Sequence, residues 1–237
     1  MLGGRVKLRQ PKDGFRATGD AVFLAAALTA QPGEKLLDVG VGAGAALLAA
    51  AARLPARRFL GVDTDAEALG YARHNVTANG WAERIALRHA DIGDLATVPV
   101  SDSHHVFSNP PYYSAGSGRL PSGAARTRAR HEGLVPLATW VELCAARASR
   151  SVTFVLPADR EAEALGALPT EFSAITVCPL AAHSGKPPNR VIVQSWSDRD
   201  ARGVTRLQSF IIHTPDGRFS PAADRILRAG APLSLAG

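Results

Sequence analysis

Apolar segments of strand length alternate with helical segments from about residue 35 onward, and this alternation constrains the fold more than any other feature. The first strand candidates span residues 35–40, 58–63, 84–91 and 104–111, and alanine- and leucine-rich helical segments separate the early ones. Strands that alternate with helices form parallel sheets. Strands covered on both faces read as nearly continuous apolar runs, as these do. The pattern predicts an α/β protein with a doubly wound, mostly parallel sheet.

Three further strand candidates span residues 151–157, 173–180 and 189–196. The last two are joined by a connection rich in glycine and proline, without a helix, so they are predicted to pair antiparallel. We therefore expect a seven-stranded sheet with helices on both faces and an antiparallel last strand.

One domain is expected to span residues 1–197. Residues 198–237 are less patterned, and we expect them to form a C-terminal extension packed on the same domain. A hairpin around Pro215, Asp216 and Gly217 is predicted within it, and the rest of the extension is expected to run along the surface.

The net charge and the cysteine content limit the kinds of binding partner and metal site that are expected. The net charge of +6 and the sequence pI of about 9.9 suit a polyanionic partner. Cys144 and Cys178 are far apart and in no metal-binding spacing, so free thiols and no zinc are expected. The adjacent His104 and His105 lack a third ligand at suitable spacing and are interpreted as ordinary strand residues. With no apolar run of membrane-spanning length and no recognisable signal peptide, the expected location is cytoplasmic.

A glycine-rich turn follows the first strand in "LLDVGVGAGAALLAA". Gly40, Gly42 and Gly44 let the backbone approach a ligand, and the helix that follows offers free N–H groups. Asp63 ends the second strand 19 residues after Gly44 (63 − 44 = 19), at the usual distance for binding ribose hydroxyls. Asp38 lies inside the end of the first strand, which disfavours a pyrophosphate.

Three acids at three successive strand ends match S-adenosylmethionine better than a dinucleotide. In this interpretation Asp38 binds the ammonium group of the cofactor. Asp63 binds its ribose, and Asp91 accepts a hydrogen bond from its adenine amino group. The alternative is that the acids only cap helices.

The stretch "HHVFSNPPYY" follows with a motif suited to a planar amino group. The Asn109 side-chain oxygen and the Pro110 carbonyl would accept the two N–H bonds of an adenine amino group. Pro110 and Pro111 fix the backbone and cannot donate a competing N–H. Tyr112 offers a face on which the base stacks. The alternative is a rigid Pro-Pro turn with a locally packed tyrosine.

These motifs carry a resemblance to a known family. "SNPPY" matches the (N/D)PP(Y/F) motif of amino-group methyltransferases, and "QPKDGFRATGDAVFLAAA" resembles the N-terminal segment of the bacterial tRNA(Val) adenine-N6-methyltransferase family. "YARHNVTANG" and "RARHEG" are also similar, and the resemblance runs from about Gln10 to Trp196. It implies a Rossmann-like class I methyltransferase that uses S-adenosylmethionine to methylate N6 of the adenosine beside a tRNA anticodon.

The resemblance also implies roles for individual residues. Residues 1–34 form a segment that covers the cofactor, with Arg16 and Thr18 over its methionine end. The cofactor pocket is expected to be lined by Asp38, Gly40, Gly42, Gly44, Asp63, Asp91 and Asn109, and the target base to be held by Asn109, Pro110, Pro111 and Tyr112. Val41 and Ala43 depart from the family, in which small hydroxyl residues are common there.

An arginine-rich segment, "RLPSGAARTRARHE", follows the NPPY motif. Four arginines in it are candidates for binding RNA phosphates: Arg119, Arg126, Arg128 and Arg130. The alternative is a solvated charged loop. A target base inside structured RNA must be splayed out, which is easiest in a single-stranded loop.

Three other functions stay open at this point. A protein glutamine-N5 methyltransferase acting on a release factor uses the same motif but carries a helical domain before the glycine loop. Only 37 residues precede Asp38 here, which counts against it. An N2-guanine rRNA methyltransferase is a second alternative, and a non-catalytic RNA-binding module is a third.

Overall fold

A single mixed sheet of nine strands organises the protein in a computed structural model that describes residues 1–11, 19–91, 103–111, 135–200 and 202–235. The strands are β1 (Lys35–Val39), β2 (Arg58–Asp63), β3 (Ile85–His89), β4 (Ser103–Ser108), β5 (Ala148–Pro157), β6 (Ala174–Ala181), β7 (Arg190–Trp196), β8 (Gly203–Arg206) and β9 (Phe210–Ile211).

The strand order is β3-β2-β1-β4-β5-β7-β6-β8, with β9 also pairing with β6. Strands β1 to β5 pair parallel, and β7 runs antiparallel between β5 and β6. The predicted Rossmann-like sheet with an antiparallel last core strand is confirmed. Two short strands, β8 and β9, were not predicted, and both pair parallel with β6.

Six α-helices are described: α1 (Gly19–Ala27), α2 (Ala45–Arg53), α3 (Ala66–Ala78), α4 (Leu137–Ala145), α5 (Glu161–Gly166) and α6 (Pro221–Ala229). Side chains of α1, α2, α3 and α6 share one hydrophobic cluster with one face of the sheet. Side chains of α4 and α5 form a second cluster on the other face. The central strands are therefore buried on both faces, as their apolar sequences require.

Helix α1 belongs to the core. All its residues from Ala21 to Ala27 are buried, and the helix packs against α2 and β5. This part of the predicted cofactor-covering segment therefore stabilises the fold. Arg16 and Thr18 lie outside the described residues, so a covering role there stays a prediction.

Part of the C-terminal extension is integrated into the fold. Strand β8 extends the sheet beside β6, and Ala223 and Ile226 of α6 are buried against the core. Helix α6 buries these apolar residues, which recur at helical spacing, and leaves Pro221, Arg225 and Arg228 exposed on its outer face. The predicted turn at Pro215–Gly217 is present, closed by an antiparallel bridge between His213 and Phe219.

No helix in the described ranges is long and apolar enough to cross a membrane.

Candidate active site

The glycine turn joins β1 to α2 at the carboxyl edge of the sheet. Gly40, Gly42 and Gly44 all have positive φ, at 74°, 55° and 90°. L-amino acids with a Cβ rarely adopt this backbone, so the turn requires glycine at these three positions. In an open α/β sheet, ligands bind at this edge, where the strand order reverses.

Strand β2 holds the turn in place. The N–H groups of Gly40 and Val41 donate to the Val62 carbonyl over 2.9 and 3.0 Å. The Gly42 N–H donates to Asp63 Oδ2 over 2.7 Å, and the Asp65 N–H donates to Asp63 Oδ1 over 2.9 Å. Asp63 thus fixes the loop, and its role in binding a ribose stays a prediction.

Burial raises the pKa of Asp63, although the N–H groups that it accepts favour its charged form. The side chain of Val41 packs against Gly61, where an added Cβ would come within 2.8 Å of it. The departure from a small hydroxyl residue at position 41 is therefore accommodated by a glycine on β2.

Asp38 lies beneath the glycine turn and is only 2% exposed. Among the described residues its Oδ2 atom has no hydrogen-bond partner. Burial, and then the charge of Asp63, raise the pKa of Asp38 well above its ordinary value, and the backbone N–H of Leu47 opposes the shift. An orphaned carboxylate oxygen in this position fits a cationic group such as an ammonium.

The NPP segment lies beside the glycine turn because β4 pairs with β1. Ser108 is in register with Val39, and its hydroxyl donates to the Val39 carbonyl over 2.6 Å. Strand β4 ends at Ser108, earlier than predicted, since the prolines that follow cannot continue the ladder. Asn109 is half-buried and Pro110 is buried, whereas Pro111 is exposed.

Trp140 on α4 supports both loops. Its indole Nε1 donates to Ser108 Oγ over 3.1 Å. A Cβ at Gly40 would lie 3.3 Å from its ring. Trp140 was not predicted to belong to the site. It lies 32 residues beyond Ser108, and in the sequence only its place within a helical apolar pattern distinguishes it.

Asn75 on α3 is a second residue that the sequence analysis missed. It is buried, and its amide donates to the carbonyls of Arg9 and Ala43 over 2.7 and 3.0 Å. Its oxygen accepts the Arg9 N–H over 2.7 Å. Asn75 therefore ties the N-terminal segment to the glycine turn, and it belongs to the quoted "YARHNVTANG" motif.

Of the remaining predicted site residues, only Asp91 lies within the part of the chain that the structure describes. Asp91 is exposed two residues after β3 ends, and the Ala90 N–H donates to the Asp63 carbonyl over 3.0 Å. Three of the predicted cofactor and target residues lie outside the described residues: Arg16, Thr18 and Tyr112. The same holds for the four predicted RNA-binding arginines, Arg119, Arg126, Arg128 and Arg130.

His105 takes part in a polar cluster at the opposite edge of the sheet. It is buried, and its ring nitrogens contact Glu34 Oε2 and Ser151 Oγ, each at 2.8 Å. Arg150 also pairs with Glu34. Burial lowers the pKa of His105, so the neutral imidazole is favoured. The contacts are those of a satisfied structural histidine.

Both cysteines belong to the hydrophobic core. Cys144 and Cys178 are free and buried, and burial raises the pKa of Cys178 to about 11. Within the described ranges, no three His, Cys, Asp or Glu side chains converge to hold a metal ion.

The fold, the glycine turn and the NPP segment define the class of protein as an S-adenosylmethionine-dependent class I methyltransferase. The family model of the methyltransferase small domain matches residues 18–121. The protein named tRNA1(Val) (adenine(37)-N6)-methyltransferase in Aeromonas hydrophila is 30% identical over 224 residues, which cover 91% of this chain and 89% of the relative. The chain belongs to this methyltransferase family.

Two further comparisons agree. The protein of the same name in Vibrio campbellii is 27% identical over 209 residues, covering 87% of this chain and 84% of the relative. A crystal structure from Agrobacterium tumefaciens, titled a predicted O-methyltransferase, has a TM-score of 0.73. It is 23% identical and covers 90% of this chain and 98% of its own, which shows the shared fold.

Proposed function

We propose that this enzyme methylates the exocyclic N6 amino group of an adenine in tRNA, at the adenosine beside the anticodon. One observation carries the proposal. The bond between Ser108 and Val39 holds Asn109 and Pro110 beside the glycine turn. The tRNA specificity is taken from the names of the relatives, which agree with the basic charge of the chain.

The residues present fit S-adenosylmethionine, which supplies an electrophilic methyl group when bound. Asp38 would pair with the ammonium group, since its buried Oδ2 lacks a partner among the described residues. The glycine turn leaves room for the backbone to approach the ligand. Asp63 would bind the ribose hydroxyls and Asp91 the adenine amino group.

Asn109 and Pro110 would activate the nucleophile, which is the amino group of the target adenine. An adenine amino group is a poor nucleophile because its lone pair is delocalised into the ring. The Asn109 side-chain oxygen and the Pro110 carbonyl each accept one N–H, which draws the nitrogen toward tetrahedral geometry. The charge that develops on nitrogen then meets two preorganised acceptors. No strong base is required, since the proton can leave after the positive charge has formed.

The RNA would be bound by groups around this edge of the sheet. Arg119, Arg126, Arg128 and Arg130 remain candidates for phosphate contacts, and Tyr112 for stacking on the target base. The cytoplasm, where tRNA is modified, is the location that this function implies.

Purified protein, labelled S-adenosylmethionine and two substrates test the proposal. Bulk tRNA that lacks the modification and a release factor are incubated in parallel, and the tRNA is digested to nucleosides. Label in N6-methyladenosine is expected. Label in the release factor would favour the glutamine-N5 alternative, and label in neither substrate would favour the N2-guanine rRNA alternative. Either result would overturn the adenine proposal.

A further inference from the structure

Three aromatic rings lie in contact outside the site described above, and two of them are stacked. The rings of His183 and His213 have centroids 5.5 Å apart, and those of His213 and Phe219 are stacked at 5.2 Å with an interplanar angle of 22°. We call these three residues the ring platform. His183 follows β6, whereas His213 and Phe219 flank the turn after β9.

Backbone hydrogen bonds fix the platform. The His213 N–H donates to the Ala182 carbonyl over 2.8 Å, which joins the two segments that carry the rings. The Thr214 N–H donates to the Arg218 carbonyl over 2.9 Å and closes the turn. The rings are therefore held in place before any partner binds, which lowers the entropy cost of binding.

The platform lies at the same edge of the sheet as the NPP segment. Strand β6 is parallel to β4, because both β5 and β6 run antiparallel to β7. His183 lies just beyond the carboxyl end of β6, as Asn109 does beyond that of β4. Three strand spacings separate the two strands laterally, or roughly 14 Å. Strand β6 also continues past Val177, the residue level with Ser108, as far as Ala181, which adds roughly 13 Å along the strand direction. A loop that contacts both places must therefore span several nucleotides.

The Phe219 ring of the platform is more exposed to solvent than most large hydrophobic side chains in the described part of the chain. Phe219 is 42% exposed, and in the described ranges the only other large hydrophobic side chain exposed to this degree is Val204 at 55%. An open cavity of about 470 Å³ lies beside the two histidine rings of the platform and is lined by His183, His213 and Ser220 among others. A fixed, exposed ring beside a cavity is suited to a flat ligand.

Charges around the platform also suit a nucleic acid. Lys186 is exposed on the turn that follows His183, and Arg218 precedes Phe219 with its side chain 86% exposed. Asp216 pairs with Arg218 over 3.1 Å, so that pair contributes little net charge. The surface around the platform is therefore aromatic and weakly basic. Such a surface favours contact with a nucleobase over contact with a row of phosphates.

We propose that the ring platform stacks on a nucleobase of the RNA loop that carries the target adenine. The inference rests on the proposed function, and it adds a second base contact on the C-terminal extension. Single-stranded RNA is commonly recognised by stacking of splayed bases on Phe, Tyr, Trp or His. A base stacked here would orient the loop while the target adenine occupies the NPP segment.

The protein-side test replaces Phe219→Ala and compares methylation kinetics on bulk tRNA that lacks the modification. We expect the KM for tRNA to rise about 5- to 100-fold, the scale of one lost base stack, with kcat and S-adenosylmethionine affinity unchanged. Phe219→Trp should restore the KM. Val204→Ala is the matched control, since it removes an exposed apolar side chain beside the other end of β6. An unchanged KM in Phe219→Ala would overturn the proposal.

The RNA-side test adds altered substrates, whose effect on the wild-type protein does not depend on the folding of a variant. Anticodon stem-loops with one abasic loop nucleotide each are bound to the wild-type protein and to Phe219→Ala. One abasic position should weaken wild-type binding and have little further effect in the variant. If no position shows this coupling while the wild type still methylates tRNA, the platform inference fails and the proposed function stands. If the wild type methylates no tRNA, the proposed function itself fails.

Discussion

The Ser108 hydroxyl and the Val39 carbonyl are joined by a hydrogen bond of 2.6 Å, at the point where β4 and β1 end. Each strand continues into one half of the site, the NPP segment after Ser108 and the glycine turn after Val39. Trp140 donates to the same hydroxyl from α4. The pairing of β4 with β1 sets the relative position of the two loops, and the buried Ser108 side chain fixes it further where the strands end.

Replacing Ser108→Ala should slow methyl transfer more than it weakens cofactor binding. The variant leaves the Val39 carbonyl and the Trp140 indole N–H without their partner, at a cost of about 1–3 kcal/mol in the free energy of unfolding. A small misplacement of the NPP segment would lower kcat by about 10²-fold. Steady-state kinetics and thermal unfolding measure the two effects.

Ser195→Ala is the matched control for this variant. Ser195 is equally buried and donates to the Phe172 carbonyl over the same 2.6 Å, but it lies on β7 away from the site. It should lose similar stability and keep its kcat. Equal losses of kcat in both variants would show that Ser108 acts through stability alone.

Replacing Gly40→Ala should abolish cofactor binding at a moderate cost in stability. Its φ of 74° is strained for alanine by about 1–2 kcal/mol, and the added Cβ would lie 3.3 Å from the Trp140 ring. Gly33→Ala is the control, because Gly33 has a φ of 86° with no atom within 4 Å of an added Cβ. Calorimetric titration with S-adenosylmethionine should show binding to the control alone. Wild-type affinity in Gly40→Ala would contradict the role given to the turn.

Replacing Asp38→Asn should stabilise the ligand-free protein at neutral pH. The pKa of Asp38 is raised above its ordinary value of 3.8 in the folded state, so the folded protein binds this proton more tightly than the unfolded chain does. The stability of the wild type therefore falls as the pH rises from 3.8 toward the folded-state pKa. Melting temperatures across this pH range should fall less steeply in the variant.

The same variant should bind S-adenosylmethionine about 10- to 100-fold more weakly, the scale for losing a hydrogen bond to a charged group. If Asp38→Asn gains stability and loses affinity for S-adenosylmethionine, Asp38 is present for binding and lowers the stability of the fold. A less stable variant with unchanged affinity would mean that the carboxylate is structural.

Features local in sequence were predictable. The apolar runs indicated the strands of the core sheet, and the missing helix before β7 indicated its antiparallel course. Gly40, Gly42 and Gly44 marked the turn because a positive φ favours glycine wherever it occurs. Asp38 and Asn109 followed from their places at the ends of strands. Each of these inferences needs only neighbouring residues and the rule that ligands bind at the carboxyl edge of a parallel sheet.

Pairwise contacts across the fold were not predictable. Nothing in the sequence pairs Ser108 with Val39, which is 69 residues away, or Asn75 with Arg9. The short strands β8 and β9 carry weak patterns, and both pair with the edge of β6 that β7 leaves free. The contact between the rings of His183 and His213 likewise depends on tertiary geometry. Such contacts depend on packing, which one sequence does not specify residue by residue.

The central claim, that the NPP segment activates an adenine amino group in tRNA, is tested most directly through Asn109→Ala. Wild type and variant are compared on the same unmodified tRNA by nucleoside analysis, with cofactor binding measured alongside. Wild type should form N6-methyladenosine, and the variant should form it about 10²- to 10³-fold more slowly, the scale for losing one preorganised polar contact. Turnover in the variant within a few-fold of wild type, with the cofactor bound in both, would contradict the account.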